Sequence, residues 1–96
     1  MILLQHAADL KKLLDTKRQA NLTIGFVPTM GALHQGHLSL INRSKSENSI
    51  TVCSIYVNPT QFNDPKDLEK YPRPIEHDIE ILSAAHCDVL FLPLTE

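Results

Sequence analysis

Apolar residues recur at helical spacing in three parts of the chain, with polar residues between them. This periodicity predicts one helix from about His6 to Arg18 and a second from about Gly36 to Ser46. A third helix is predicted to begin at or just after Pro74, because proline fits the first turn of a helix. The residues expected on the buried sides of these helices are Leu10, Leu13, Leu14, Leu38, Ile41, Ile75, Ile79 and Leu82.

Between these helices lie three short runs of apolar and β-branched residues, a composition typical of buried strands. The runs are Thr23–Val27, Ile50–Val57 and Asp88–Leu92. The second run stops before Pro59 and the third before Pro93, because proline has no N–H to donate to a sheet ladder. Each run is therefore predicted to form one strand.

The resulting order, α-β-α-β-α-β, predicts an α/β fold with a parallel three-stranded sheet and right-handed crossovers. In a parallel sheet the carboxyl ends of all strands lie at one edge, which we call the carboxyl rim. The segments expected at the carboxyl rim are Pro28–His37, Asn58–Phe62 and Pro93–Glu96. Because α/β proteins bind ligands at this edge, these segments are the first candidates for a binding site.

The composition is that of an ordinary globular domain, or part of one, with 96 residues, 43% apolar and 21% charged. A net charge of −2 without a Lys/Arg-rich run argues against a nucleic-acid partner. No signal-peptide pattern or membrane-length apolar stretch occurs in the sequence, so no membrane partner is expected. Cys53 and Cys87 lie far apart without a CxxC pairing, which favours free thiols and a cytoplasmic location.

The clearest candidate for chemistry is a pair of histidines, His34 and His37, at the predicted passage from strand to helix. At this spacing the two rings can converge, and a phosphate bound there would also meet backbone N–H groups of the first helical turn. Gly31 and Gly36 let the backbone approach a ligand closely. Two other interpretations remain open at this point. The histidines can be merely solvated or half-buried, and a zinc site would need further ligands, for which the core-like cysteines are poor candidates.

A second candidate lies after the next predicted strand, where Asn58 and Gln61 carry amide groups. Amides both donate and accept hydrogen bonds, which suits a small acid that carries a hydroxyl and a carboxylate. The alternative is that both side chains satisfy the backbone of a turn. Four acidic residues also offer hard oxygen ligands for Mg²⁺, although acids at helix N-termini usually serve the helix. These four are Asp64, Asp67, Glu76 and Asp78.

Three segments together resemble the pantoate–β-alanine ligase family, also called the pantothenate synthetases. They are Val27–His37, which carries the HxGH motif, Ser54–Phe62 and Asp67–Arg73. Their order and spacing match, and the similarity extends over essentially the whole chain. A lone HxGH would indicate only the wider nucleotidyltransferase superfamily, whereas the three segments together are highly specific.

The resemblance implies a partial Rossmann-like three-layer fold and an ATP-dependent condensation of (R)-pantoate with β-alanine. The reaction proceeds through pantoyl adenylate and releases pyrophosphate and AMP. The resemblance places His34 and His37 at the phosphates as catalytic residues, with His37 the stronger candidate for proton donor. It places Gln61, Asn58 and Tyr71 in the substrate site. The residues expected to line the ATP site are Pro28, Thr29, Met30, Gly31, Ala32, Leu33, His34, Gln35, Gly36 and His37.

The resemblance also implies that Mg²⁺ arrives with ATP, without protein ligands that can be named. Family members are much longer, so residues 1–96 are expected to be the N-terminal part of a Rossmann-like catalytic domain, inactive alone. The strand Thr23–Val27 is then expected at an unpaired edge of the sheet. Because exposed apolar edges pair with other chains, we expect a homodimer that forms through this edge or by swapping an element. Two alternatives are kept: a non-catalytic fragment that binds nucleotide or pantoate, and another HxGH nucleotidyltransferase, against which Asn58–Phe62 argues.

Overall fold

The computed structural model describes residues 1–56 and 75–93. Strands and helices alternate through these residues, as the sequence predicts. The elements in chain order are β1 (Ile2–Leu4), α1 (Ala7–Gln19), β2 (Ile24–Thr29), α2 (Gln35–Glu47), β3 (Ile50–Ile55), α3 (Ile75–Ala84) and β4 (Val89–Phe91).

The strands form one parallel sheet in the order β1-β4-β3-β2. The α/β class and the parallel sheet are thus confirmed, but the predicted strand count of three is wrong, because the described residues contain four. The additional strand, β1, pairs with β4 in the register Ile2 with Val89 and Leu4 with Phe91. Its three residues are too few to show an alternating pattern, so only the distant partner strand reveals it.

The connections place helices on both faces of the sheet. The chain passes from β2 through β3 to β4 in one direction, whereas the step from β1 to β2 runs the opposite way across the sheet. With right-handed crossovers, α2 and α3 therefore cover one face and α1 the other. The burial of Val52 and Val89, which alternate with the core residues Cys53 and Leu90, fits a covered second face. This is the predicted three-layer arrangement.

The main core lies between the sheet and the helices α2 and α3. Ile41 of α2 and Leu82 of α3 are fully buried, and Leu33 joins them from the connection between β2 and α2. Cys53 is also part of this core, and burial raises the pKa of its thiol to about 12. The thiol therefore stays protonated near neutral pH. The core cluster consists of Val27, Leu33, Ile41, Cys53, Ile55, Leu82, Cys87 and Leu90.

The strand β2 extends further than predicted, because it continues through Pro28 to Thr29. Thr29 accepts a backbone hydrogen bond from Tyr56, so its polar groups face β3. By the alternation of a strand, the backbone nitrogen of Pro28 faces the other side, where no strand of the described residues is paired with β2. The sequence prediction that this strand lies at an edge is confirmed for the described part of the sheet.

Candidate functional site

The connection from β2 to α2 begins at the carboxyl rim and carries the predicted ATP-site residues. Pro28 and Thr29 end the strand, and His34 is the N-cap of the helix. The short segment between them turns sharply, since Gly31 and Ala32 have φ values of 87° and 54°. A left-handed conformation is easy for glycine but costs alanine about 1–2 kcal/mol. Other contacts must therefore stabilise this turn.

The start of the turn is held by the hydroxyl group of Thr29. This hydroxyl donates a hydrogen bond of 2.9 Å to the carbonyl oxygen of Ser54 on β3. It also accepts a hydrogen bond of 3.2 Å from the N–H of Gly31. One buried side chain thus ties the end of β2 both to its neighbouring strand and to the turn that follows.

The middle of the turn is held by a carboxylate that is distant in sequence. Asp78 of α3 accepts hydrogen bonds from the N–H groups of Ala32 at 3.1 Å and Leu33 at 3.0 Å, one at each carboxylate oxygen. The side chain is fully buried. The sequence suggests two roles for Asp78, an Mg²⁺ ligand or an acidic residue at a helix N-terminus. Its contact with a segment about 45 residues away cannot be predicted from any pattern in the sequence.

The two histidines form a reciprocal cap at the first turn of α2. The Nδ1 atom of His34 accepts the N–H of Gly36 at 3.0 Å, and the Nδ1 atom of His37 accepts the N–H of His34 at 3.1 Å. The ring centroids are 4.1 Å apart. The predicted convergence of the two rings is therefore present in the structure.

This cap determines which imidazole nitrogen carries the proton. A nitrogen that accepts an N–H has no proton of its own, so each neutral ring carries its proton on Nε2. Burial lowers the pKa of His37 below its ordinary value, and the neighbouring His34 lowers it further, whereas Asp78 raises it. The site therefore favours a neutral His37 ring that offers one N–H donor rather than an imidazolium.

Most backbone N–H groups of the connection already donate within the protein. Those of Ala32 and Leu33 bind Asp78, and the N–H of Gly36 binds His34. The sequence predicts that N–H groups of the first helical turn meet a phosphate, but the N–H of Gly36 is already bound within the protein. The Nε2–H groups of the two rings, together with the positive end of the α2 dipole, are the donors that this arrangement leaves for an anion.

The other candidate residues differ in how far the structure describes them. Met30 and Gln35 are exposed on either side of the turn. Asn58, Gln61 and Tyr71 lie outside the described residues. Within residues 1–56 and 75–93, no group of three or more His, Cys, Asp or Glu side chains is arranged to hold a metal ion. In the same ranges, no helix has the length and apolar character to span a membrane.

Comparison with known proteins decides the family. The family model for pantoate-beta-alanine ligase matches residues 2–96. The chain belongs to the pantoate–β-alanine ligase family. The pantothenate synthetase of Allorhizobium ampelinum is 54% identical over 93 residues, which are 97% of this chain and 32% of that protein. The enzyme of Cytophaga hutchinsonii is 50% identical over the same share of this chain and 33% of its own.

Solved structures of pantoate–β-alanine ligases have the same fold. The pantothenate synthetase of Thermus thermophilus aligns with a TM-score of 0.75 and 41% identity, covering 100% of this chain and 33% of that one. The ligase of Francisella tularensis, crystallised with beta-gamma ATP and beta-alanine, aligns with a TM-score of 0.73 and 47% identity. That alignment covers 97% of this chain and 35% of the Francisella chain. The chain thus spans about a third of the length of the relatives it matches.

Proposed function

We propose that this chain supplies the nucleotide-binding part of a pantoate–β-alanine ligase, which joins (R)-pantoate to β-alanine and converts ATP to AMP and pyrophosphate. The observation that carries the proposal is the mutual cap of His34 and His37. Each ring is tied to the backbone through Nδ1, which leaves an oriented Nε2–H donor at a helix N-terminus. The Francisella relative, crystallised with beta-gamma ATP and beta-alanine, supports the nature of the ligand.

The proposed reaction has two steps. A carboxylate oxygen of pantoate attacks the α-phosphorus of ATP, and the bond from that phosphorus to the β-phosphate oxygen breaks, which releases pyrophosphate. The neutral amine of β-alanine then attacks the acyl carbon of pantoyl adenylate. The amide bond forms, AMP leaves with the bonding electrons, and the nitrogen gives up a proton.

In this reaction His34 and His37 act as hydrogen-bond donors to phosphate oxygens. Negative charge on the leaving pyrophosphate grows in the transition state, and oriented N–H groups stabilise it without reorganisation. The lowered pKa of His37 favours this role over that of a charged acid, although a ring in contact with a polyanion gains basicity. If contact with the phosphates protonates one of the rings, His37, as the less exposed of the two, is the stronger candidate for a proton donor to the leaving group.

The remaining assignments complete the proposal. Asn58, Gln61 and Tyr71 bind pantoate and receive β-alanine, and Mg²⁺ enters on the ATP phosphates. The two cysteines are free thiols, which supports a reducing compartment such as the cytoplasm. A homodimer is proposed through the edge of β2, because Phe26 is 52% exposed on this strand.

Titration of the 96-residue chain with Mg·ATP tests the role of the histidines. We expect H34A and H37A each to weaken binding about tenfold or more, because a hydrogen bond to a charged group contributes about 1.5–3 kcal/mol. His86→Asn is the matched control, since this histidine precedes β4 and therefore lies near the amino ends of the strands, away from the carboxyl rim. Equal affinity of all four proteins would refute the assignment of the phosphate site.

Pyrophosphate release distinguishes a ligase from a binding module. The chain is mixed with pantoate, β-alanine and Mg·ATP, and pyrophosphate and AMP are measured. Binding of ATP without release supports the non-catalytic alternative for the isolated 96 residues. Release that requires pantoate supports the ligase, and release with another acceptor in its place supports a different HxGH nucleotidyltransferase.

A further inference from the structure

We propose that Asp78 is the residue that positions the His34–His37 pair, by holding the N–H groups of Ala32 and Leu33 in the turn that leads into α2. This inference rests on the proposed function, because it concerns the same pair of rings. It assigns to α3 a part in the site that neither the sequence motif nor the family match gives it. Asp78 is a positioning residue rather than a catalytic one, since its carboxylate faces the protein backbone.

The contacts of Asp78 are directed and complete. Its two carboxylate oxygens each accept one N–H, from Ala32 at 3.1 Å and from Leu33 at 3.0 Å. The side chain has 0% exposure. Within the described residues no Lys, Arg or His nitrogen forms an ion pair with it. Two backbone dipoles and the N-terminal turn of α3 therefore stabilise its charge, as in an anion-binding nest.

The segment that Asp78 holds does not keep its shape by local preference. Gly31 and Ala32 are consecutive left-handed residues, and the second of them carries a side chain. The next residue, Leu33, is 3% exposed and packs into the core. A strained turn of this kind persists only when surrounding contacts over-determine it, and the Asp78 carboxylate supplies two of those contacts.

The conformation of this segment also determines where the rings lie. His34 directly follows Leu33, and its N–H is the group that fixes His37. If the Ala32 and Leu33 amides lose their acceptor, the backbone at His34 is free to rotate, and the reciprocal cap loses its geometry. Displacing a binding group by an ångström can cost about a hundredfold in rate, so a residue without any ligand contact can control the site.

The first test detects the contact itself in the unaltered 96-residue chain. Hydrogen-bond scalar couplings are measured by NMR between the amide nitrogens of Ala32 and Leu33 and the side-chain carboxylate carbon of Asp78. We expect both couplings. If neither is seen in a spectrum that resolves the couplings of the β2–β3 ladder, the inference is overturned.

The second test asks whether the contact positions the rings. Asp78→Asn replaces one acceptor oxygen by an NH₂ group that faces an N–H, and the tautomers of both histidines are read from their ring nitrogen signals. In D78N we expect each ring to populate a mixture of the Nδ1–H and Nε2–H tautomers instead of the Nε2–H tautomer alone. We also expect the dissociation constant for Mg·ATP to rise about tenfold. Retention of both tautomers and of the affinity in folded D78N overturns the proposal.

Asp88→Asn is the matched control. Asp88 also accepts a backbone hydrogen bond through its carboxylate, from the N–H of Thr51 at 2.8 Å. It directly precedes β4 and therefore lies near the amino ends of the strands, away from the carboxyl rim. A merely structural loss lowers the free energy of unfolding in either variant, whereas only D78N is expected to change the tautomers. If D88N changes them equally, the effect is global and the inference fails.

Two further outcomes are separable. If D78N does not fold, D78E is used in its place, because it keeps the charge but moves the carboxylate by one methylene group. Unchanged tautomers of both histidines in D78E would overturn the proposal. If the unaltered chain binds no Mg·ATP, the proposed function fails, while the couplings and the tautomers still decide the role of Asp78.

Discussion

At the scale of single residues, the imidazole of His37 is both a helix cap and a candidate ligand donor. Its Nδ1 atom is occupied by the His34 N–H, which fixes the orientation of the ring before any ligand binds. A side chain held in this way loses little conformational freedom when a ligand arrives. Protonation of the ring at Nδ1 would break this hydrogen bond, because a protonated Nδ1 cannot accept the His34 N–H. The charge state of the ring and the formation of the cap are therefore linked.

This link gives a prediction for the pH dependence of His37. Burial, and then His34, lower the pKa of the ring in the folded chain. The unfolded chain, with an ordinary value of about 6.5, therefore takes up the proton first as the pH falls. The contribution to stability is complete above this value and is lost as the pH falls through the folded pKa. NMR titration of the ring and urea unfolding at several pH values measure both effects.

His34→Asn provides the control for this titration. Asparagine keeps a side-chain acceptor at the N-cap but removes the second imidazole. The pKa of His37 is expected to rise toward its ordinary value in H34N, since one of the causes that lower it is gone. A lower pKa of His37 in this variant would contradict the proposed electrostatic coupling of the rings.

The sequence alone could predict that His34 and His37 lie together, but not that the carboxylate of Asp78 binds the turn that precedes them. The histidines are close in sequence and meet locally, because His34 is the N-cap of α2 and His37 lies in its first turn. Asp78 meets Ala32 only through the packing of α3 beside β2 and α2. Its local context, the first turn of a helix, already explains an acidic residue, so nothing in the sequence pointed to the contact.

At the scale of elements, the packing of β2 against α2 depends on a glycine. A Cβ atom at Gly25 would lie 2.0 Å from Ser44 Oγ and 2.7 Å from Asn48 Nδ2. Ser44 cannot move away freely, because its hydroxyl is buried and paired with Thr51 Oγ1 at 2.7 Å. The close approach of β2 and α2 therefore requires the absence of a side chain at this position.

Gly25→Ala is expected to lower the free energy of unfolding by about 1–3 kcal/mol, the usual cost of overpacking a core. Chemical denaturation measures the change. In a background that carries Ser44→Ala, the nearest clash is gone and the same substitution should cost less. An equal cost in both backgrounds would show that another contact limits the packing.

The alternation of helices and strands could be predicted because each longer element has its own periodicity. The start of α2 and the whole of α3 follow the predicted pattern, with Leu82 fully buried. The strand β1 could not be found in this way, because its three residues become a strand only by pairing with β4. Similarly, the sequence predicts that this strand ends at Val27, although an edge position lets it continue through Pro28.

At the scale of the whole molecule, the exposed edge of β2 makes self-association a measurable property. Within the described residues β2 has one neighbouring strand, and the side chain of Phe26 on this strand is exposed. We expect sedimentation velocity to show a dimer that dissociates on dilution. Phe26→Lys should shift the protein to monomer, because charged residues on edge strands oppose pairing. A wild-type monomer at millimolar concentration would remove the proposed homodimer.

The position of β4 between β1 and β3 has a consequence for biosynthesis. Among the described strands, Ile2–Leu4 is synthesised first, whereas its partner, Val89–Phe91, is synthesised last. Until then the nascent chain can form only the β2–β3 pair, with α2 packed against it. The apolar residues of β3 that β4 covers in the complete sheet stay exposed. Chaperone demand is therefore expected to peak just before residue 91 clears the exit tunnel.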